Sequence, residues 1–244
     1  LLTSPEIIID LKGIPGLDYV AYDEGKGLRI GALASIYSVA HHPSVKEKFG
    51  ILSRAADSIA ANQIQQRGTI AGNICNAVPS ADSAPALLCL GATLSCVKKG
   101  AERTIHIDDF FRGPNETVLE PGELLKEIRI PEMPEGGRGT YFKLSTRSRM
   151  DLAVVGVGAL VSTENGRFKD VRIALGAVAP TPMRATKAED LLKGEKISDE
   201  IISKASQMAS EESKPIDDHR ASAEYRKMMV EVLVRRAIGQ ATKE

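Results

Sequence analysis

The sequence predicts an α+β protein built from two units. Its first half alternates short helical and strand-like patterns. In the second half, three strand-like segments precede three helical ones, and strands grouped ahead of helices are typical of an α+β unit. Residues 131–139, which join the halves, contain two prolines and three glycines, the strongest punctuation a chain can carry. We therefore expect one unit over residues 1–135 and a second over residues 139–244.

The elements of the first unit follow from local patterns. Residues 5–10 are rich in β-branched side chains, which predicts a strand. Residues 35–41 and 44–60 predict helices, since apolar residues of the longer stretch recur at three- and four-residue steps. A loop at 63–82 leads into a helix that ends near residue 90. The remaining elements are strands at 93–98, 103–107 and 124–130, a turn at 99–100, and a short helix at 107–111.

The second unit reads as three antiparallel strands followed by helices. Strands are predicted at 140–147, 152–163 and 167–176, with Asn165-Gly166 as the turn of a hairpin. Helices are predicted at 186–193, 198–212 and 221–241. The last helix has an amphipathic apolar stripe that we expect to face the core. It consists of Tyr225, Met228, Met229, Val232, Leu233 and Ile238.

Composition excludes several classes of function. The 244 residues include 32 basic and 32 acidic side chains and no tryptophan, so nothing indicates a nucleic-acid surface. No apolar run approaches the roughly 20 residues that span a bilayer, and no signal peptide is visible. The four histidines lack metal-ligand spacing, and no catalytic triad is identifiable, so we expect neither a metal site nor a catalytic residue. Three cysteines without metal spacing indicate reduced thiols in a cytoplasmic protein: Cys75, Cys89 and Cys96.

The stretch from Gln63 to Leu88 is the most informative part of the chain. Gly68 and Gly72 leave room for a ligand to touch the backbone, and successive N–H groups in such turns bind anions. Neutral hydrogen-bonding side chains surround them, and an acid opens the next helix: Thr69, Asn73, Asn76, Ser80 and Asp82. The same residues also suit an ordinary tight turn with a helix cap. Composition alone leaves both interpretations open.

This stretch resembles the second flavin-binding loop of the FAD subunits of molybdenum hydroxylases, the xanthine dehydrogenase and carbon monoxide dehydrogenase family. The residues that match the family pattern are Ile64, Thr69, Ile70, Gly72, Asn73, Pro79 and Asp82. Two positions depart from it: Ala71 replaces the first glycine of a Gly-Gly pair, and Ala81 replaces a serine. Residues 28–35, 122–131 and 141–155 resemble further blocks of the family, in the same order and spacing.

The resemblance implies a set of FAD-binding residues. The loop residues are Gly68, Thr69, Ile70, Ala71, Gly72, Asn73, Ile74 and Cys75. Asp82 would contact the adenosine side, although a plain N-cap is the alternative. Leu125 would pack against the isoalloxazine or the adenine, or serve as an ordinary core residue. Lys143 would stabilise anionic reduced flavin, or be a solvated strand lysine; the backbone near Ile64 would line the same pocket.

A second expectation concerns the start of the chain. In the resembled family a preceding segment carries an Ala-Gly-Gly loop that wraps the FAD pyrophosphate, and these residues contain none. The first residue is Leu1 and not methionine. We therefore expect that the sequence begins partway through a longer chain; the alternative is a protein that holds flavin poorly.

The implied function is that of a cofactor holder. In the resembled family, a large subunit with a molybdenum cofactor oxidises the substrate and a small subunit with two [2Fe–2S] clusters passes electrons to FAD. The flavin subunit then delivers them to NAD⁺ or another acceptor. The resemblance thus implies a cytoplasmic heterotrimer and an FAD-binding domain of the vanillyl-alcohol-oxidase/p-cresol-methylhydroxylase type. It implies an oxidoreductase subunit that is inactive on the organic substrate alone.

Three other functions remain open. A stand-alone flavin oxidoreductase with the same FAD-binding architecture would carry its own substrate residues. A scaffold subunit that has lost its flavin would explain Ala71 and the absent first loop. A plain α+β binding module is the third. The organic substrate and the electron acceptor are not encoded in any motif of this chain.

Overall fold

The computed structural model describes residues 6–147 and 150–243. The first unit is built on a five-stranded antiparallel sheet with strand order β1-β2-β7-β3-β4. Its strands are β1 (Val20–Asp23), β2 (Gly27–Gly31), β3 (Thr93–Lys98), β4 (Ala101–His106) and β7 (Leu124–Ile130). A separate small hairpin joins β5 (Phe111–Gly113) to β6 (Glu116–Thr117), after a 3₁₀ turn at Ile107–Asp109. The strands predicted at 93–98 and 124–130 are confirmed.

The strand predicted at 5–10 is wrong for the described residues 6–10, which form no strand. Their β-branched side chains have high strand propensity, but propensity needs a neighbouring strand to pair with. Ile7, Ile8 and Ile9 are 77 to 84 % exposed. The sheet of the first unit therefore begins at β1. Residue 5 lies outside the described part of the chain.

Helices cover the side of the sheet that holds the core. They are α1 (Ile36–His41), α2 (Pro43–Lys48), α3 (Gly50–Asp57), α4 (Asn62–Gln65), α5 (Ile70–Cys75) and α6 (Ser83–Leu90). The single helix predicted at 44–60 is two helices, because Phe49 leaves the helical conformation (φ −125°, ψ 46°). The side chain of Phe49 is fully buried, so the apolar periodicity continues through the break. The loop predicted at 63–82 likewise contains α4 and α5.

Helix α6 lies at the centre of the molecule. All eight of its residues are buried, and it packs against both the first unit and strands β9 (Val155–Glu164) and β10 (Arg167–Gly176). Glycines on those strands allow the close approach: a Cβ on Gly158 would lie 3.1 Å from the Pro85 carbonyl oxygen and 3.3 Å from Cys89 Sγ. A Cβ on Gly176 would lie 3.0 Å from the Pro85 ring. The glycines of one unit thus make room for the helix of the other.

The second unit is a sheet covered by helices, as predicted, with one additional strand. Its order is β11-β10-β9-β8, where β8 is Arg138–Leu144 and β11 is the two-residue strand Met183–Arg184. Helices α7 (Thr186–Leu192), α8 (Asp199–Glu212) and α9 (Ala223–Ala241) follow. The β9–β10 turn has positive φ at both Asn165 (52°) and Gly166 (72°), which confirms the predicted hairpin.

The stripe predicted on the last helix is only partly in the core. Leu233 and Ile238 are buried and Met229 packs against the core, whereas Tyr225, Met228 and Val232 are 44, 58 and 36 % exposed. The apolar pattern is wider than the single contact face that the sheet provides. None of the helices in the described residues is long and apolar enough to cross a membrane.

Candidate functional site

The predicted ligand loop lies where two short helices begin side by side. Ser35 and Thr69, the N-cap residues of α1 and α5, form an antiparallel bridge. The backbone N–H of Ile36 donates to the carbonyl oxygen of Gly68 at 2.8 Å. A Cβ on Gly68 would lie 3.0 Å from the Ile36 side chain. Gly68 therefore allows the two segments to pack closely, and it supports the loop from the side that faces α1.

Thr69 and Gly72 form the surface of this loop. The Thr69 hydroxyl oxygen accepts a hydrogen bond from the Gly72 N–H at 2.9 Å, which caps α5. Gly72 is exposed, and a Cβ there would lie 3.0 Å from Thr69 Oγ1. Any larger side chain at this position would cover the threonine hydroxyl. The capped turn that the composition allowed is thus present. It leaves open space at Gly72 beside the Thr69 hydroxyl, and we call this Thr69–Gly72 surface the cradle.

An apolar groove of about 540 Å³ opens beside this cradle. It brings together five of the predicted residues, namely Thr69, Ala71, Gly72, Cys75 and Leu125. Sequence reasoning missed most of its other lining residues, which come from the 11–17 segment, the end of β2 and the region around β7. They are Leu11, Ile14, Leu17, Ala32, Leu33, Val97, Leu119, Glu123, Leu124 and Lys126.

A polar groove of the same volume, about 540 Å³, adjoins the apolar one. The two share three lining residues, Ile14, Leu33 and Thr69. The charged side chains of the polar groove, Lys12, Asp18 and Arg67, were not among the predicted site residues. Of these three residues, only Arg67 could have been suspected from the sequence, because it directly precedes Gly68. The combined site is therefore apolar at one end and charged at the other.

Several predicted residues lie outside both grooves. The side chains of Ile70 and Ile74 are fully buried in the core, so they can offer a ligand only their backbone. The Asn73 side-chain oxygen accepts a hydrogen bond from the Ser83 hydroxyl at 2.6 Å. Ile64 is exposed but lines neither groove.

Asp82 and Lys143 bind each other. The Lys143 ammonium lies 2.7 Å from Asp82 Oδ2 and also donates to the Ser58 carbonyl oxygen at 3.1 Å. The Tyr141 hydroxyl donates to Asp82 Oδ1 at 2.8 Å. The side chains of Asp82 and Lys143 are only 7 and 11 % exposed, so the solvated lysine that the sequence allowed is wrong. Although Asp82 sits at the N-cap of α6, its side chain makes no capping hydrogen bond, so the simple cap is wrong as well.

Burial dominates the electrostatics of this pair. It raises the pKa of the Asp82 carboxyl, while the Lys143 ammonium and the Tyr141 hydroxyl act in the opposite direction. Burial also raises the pKa of Tyr141 well above its usual value, so this hydroxyl stays a hydrogen-bond donor. The three side chains join α6 of the first unit to β8 of the second.

The site offers no reactive thiol. Burial raises the pKa of Cys75, which lines the apolar groove, to about 12. Thiolates, and not thiols, act as nucleophiles and metal ligands, so Cys75 behaves as a small apolar side chain. In the described residues, no group of three or more His, Cys, Asp and Glu side chains is placed to hold a metal ion.

A groove that is apolar at one end, charged at the other and open at a glycine cradle is suited to a ligand with a flat ring and phosphates, as in a nucleotide cofactor. Comparison with known proteins makes this specific. Residues 2–133 match the FAD-binding domain of molybdopterin dehydrogenases, and residues 140–241 match the C-terminal domain of the CO dehydrogenase flavoprotein. The chain belongs to the family of FAD-binding subunits of these dehydrogenases.

Curated relatives and solved structures agree with this assignment. The carbon monoxide dehydrogenase medium chain of Afipia carboxidovorans is 33 % identical, over 98 % of this chain and 83 % of the relative. The glyceraldehyde dehydrogenase medium chain of Sulfolobus acidocaldarius is 31 % identical, over 96 % of this chain and 82 % of the relative. The structure of carbon monoxide dehydrogenase from Hydrogenophaga pseudoflava matches with a TM-score of 0.94 at 32 % identity, covering 98 % of this chain and 83 % of that one.

Proposed function

We propose that this chain is the flavoprotein subunit of a molybdenum hydroxylase complex, which carries electrons from [2Fe–2S] clusters through FAD to NAD⁺ or another acceptor. The observation that supports it best is the meeting of Thr69, Gly72 and Leu125 in one groove. These residues come from two segments more than fifty positions apart. A turn that only capped its own helix would not bring Leu125 next to Thr69 and Gly72.

The residues of the site fit FAD. The aliphatic wall around Leu125 matches a flat ring system, isoalloxazine or adenine, and the cradle at Gly72 lets a ligand approach the backbone closely. The charged groove next to it matches a diphosphate. Bound FAD would supply a carrier that exchanges electrons singly with iron–sulfur clusters and in pairs with an acceptor such as NAD⁺.

The chain's own residues would bind FAD, orient it in the groove and adjust its reduction potential. The apolar wall excludes water from one face of the ring, and the Thr69–Gly72 cradle fixes the ligand along the groove. Asp82 and Lys143 line neither groove, and we include them in the proposed site only as a pair. Because the Lys143 charge is balanced by Asp82 at 2.7 Å, we expect it to raise the flavin potential less than an unpaired cation would.

The proposal includes the surroundings of the site. Residues 1–135 form the FAD-binding domain and 139–244 the C-terminal domain. The partners are a large subunit with the molybdenum cofactor and a small [2Fe–2S] subunit, which together with this chain form a cytoplasmic heterotrimer. This chain by itself does not act on the organic substrate. All three cysteines are free, which suits a reducing compartment.

A scaffold subunit without flavin is the second candidate. Ala71 is buried where the family pattern has a glycine, and the side chains of Asp82 and Lys143 already satisfy each other. These features would persist in a chain that supports assembly and carries no electrons. A stand-alone flavin oxidoreductase is less well supported, because residues 140–241 match the C-terminal domain of the CO dehydrogenase flavoprotein.

Flavin content tests the proposal. The purified chain is loaded with FAD, freed of excess ligand by gel filtration, and denatured to release and quantify the flavin. The same is done with a form to which a preceding segment carrying the family's Ala-Gly-Gly loop is added. We expect close to one FAD per chain in the extended form and less in the shorter one. The variant Gly72→Val of the extended form, whose side chain would fill the cradle, should lose FAD, while Gly50→Val should not, because nothing lies within 4 Å of a Cβ at Gly50. If neither form holds FAD while both are folded by circular dichroism, the scaffold is supported instead.

A further inference from the structure

The polar groove contains an arginine that makes no hydrogen bond or close ion pair with any described residue. The Arg67 side chain is exposed, and its charge acts on the Asp10 carboxylate only through longer-range electrostatics. Its guanidinium offers a planar fork of donors that matches phosphate oxygens. An unpaired surface arginine is common; this one lines a concave groove that continues into the apolar groove through Thr69.

A second cation, Lys12, lines the same groove but is already engaged. Its ammonium lies 2.8 Å from the Asp10 carboxylate, and both side chains are more than half exposed. Such a pair contributes little to stability, so a stronger anion can displace Asp10 at small cost. The Asp18 carboxylate also lines the groove and opposes an anionic ligand.

We propose that Arg67, assisted by Lys12, binds the diphosphate of FAD and makes the polar groove a phosphate subsite. This inference rests on the proposed function and adds residues outside the glycine loop to the binding site. It places the ring system against Leu125 and the phosphates beyond Thr69. The groove then recognises the phosphates of the ligand, whereas the apolar wall recognises only a flat ring.

The charges predict effects of opposite sign. Arg67→Gln removes the free cation and weakens FAD binding most. Lys12→Gln weakens it less, because Lys12 must first leave Asp10. Asp10→Asn frees Lys12 and strengthens binding. Riboflavin, which has the same ring and no phosphate, responds to none of these changes.

The experiment is a fluorescence titration of the chain and its variants with FAD and with riboflavin, and a competition of bound FAD by ADP. We expect Arg67→Gln to raise the Kd for FAD by about tenfold or more, equivalent to about 1.4 kcal/mol. Arg67→Lys should recover part of the loss, and ADP should compete less well with the glutamine variant. Arg112→Gln is the matched control, because Arg112 is an exposed arginine that lines neither groove.

The outcomes separate the subsite from the proposed function. If the chain binds FAD and Arg67→Gln behaves like Arg112→Gln, the phosphate subsite is refuted and the flavin function stands. If Asp10→Asn weakens FAD binding as much as Lys12→Gln, the charge argument is refuted in the same way. If the chain binds no FAD even with a preceding segment that carries the family's Ala-Gly-Gly loop, both proposals fail.

Discussion

The buried ion pair between Asp82 and Lys143 makes a sharp prediction about stability. Lys143→Met removes the ammonium and keeps a side chain of similar length. It leaves the Asp82 carboxylate, 7 % exposed, with the Tyr141 hydroxyl as its remaining hydrogen-bond donor. An unpaired buried charge is among the most costly defects that a folded protein can contain.

The size of the effect follows from the geometry. Two unit charges 2.7 Å apart attract by about 6 kcal/mol at an effective dielectric constant of about 20. Desolvation of both ions offsets much of this, so the intact pair contributes little net stability. Removing one partner loses the attraction and keeps the desolvation, and we expect Lys143→Met to lower the free energy of unfolding by about 3 to 5 kcal/mol. The double variant Asp82→Asn/Lys143→Met should recover more than half of that loss.

The stability deficit of Lys143→Met should depend on pH. Burial raises the pKa of the Asp82 carboxyl, and the variant removes the ammonium that acts in the opposite direction. Protonation of Asp82 removes the unpaired charge, so the deficit should shrink as pH falls.

Urea unfolding followed by far-UV circular dichroism is the assay, because the chain has no tryptophan. The control is Lys204→Met, which breaks a lysine–glutamate pair of 2.6 Å whose side chains are 60 and 77 % exposed. It should change stability by at most about 0.5 kcal/mol. A loss below about 1 kcal/mol in Lys143→Met, or no recovery in the double variant, would refute the reasoning.

Two further predictions concern packing and acid stability. Gly158→Ala places a methyl 3.1 Å from a carbonyl oxygen of α6 and should cost about 1 to 3 kcal/mol in thermal unfolding. Gly239→Ala, in the last turn of α9 with nothing within 4 Å of its Cβ, should instead stabilise by up to about 0.5 to 1 kcal/mol, and equal effects would contradict the close approach. Hydrogen bonds from Arg103 lower the pKa of Glu123 to about 2, so its contribution is present above pH 4.5 and is lost as pH falls toward 2. Glu123→Gln should flatten this part of the stability–pH profile, and an unchanged profile would exclude Glu123 as its source.

Local patterns predicted most regular elements correctly. Strand β3 lies between turns at Gly91 and Gly100, and β10 begins after the turn at Gly166, so glycines mark these ends of the β-branched runs. The break at Phe49 was missed because its buried ring continues the helical spacing. The exposed run Ile7–Ile9 shows the complementary error, since strand propensity describes a residue and pairing describes its neighbours.

The candidate site was predicted in part for a similar reason. Thr69 and Gly72 were identifiable because they belong to a stretch that resembles the family's flavin-binding loop, whereas composition alone also allowed an ordinary capped turn. The wall formed by Leu11 and Leu17 was not, since only the fold brings it to the groove. The pairing of Asp82 with Lys143, 61 positions apart, also depends on tertiary structure.

The central position of α6 has a consequence for how the protein can be divided. Helix α6 has no exposed residue and packs against α3 of the first unit and against β9 and β10 of the second, so the first unit produced alone would present one face of α6 to water. Fragment expression across the 131–139 junction should therefore yield two aggregation-prone pieces that recover solubility when mixed. We therefore expect the two units to unfold in a single cooperative transition, although the sequence divides them at residues 131–139.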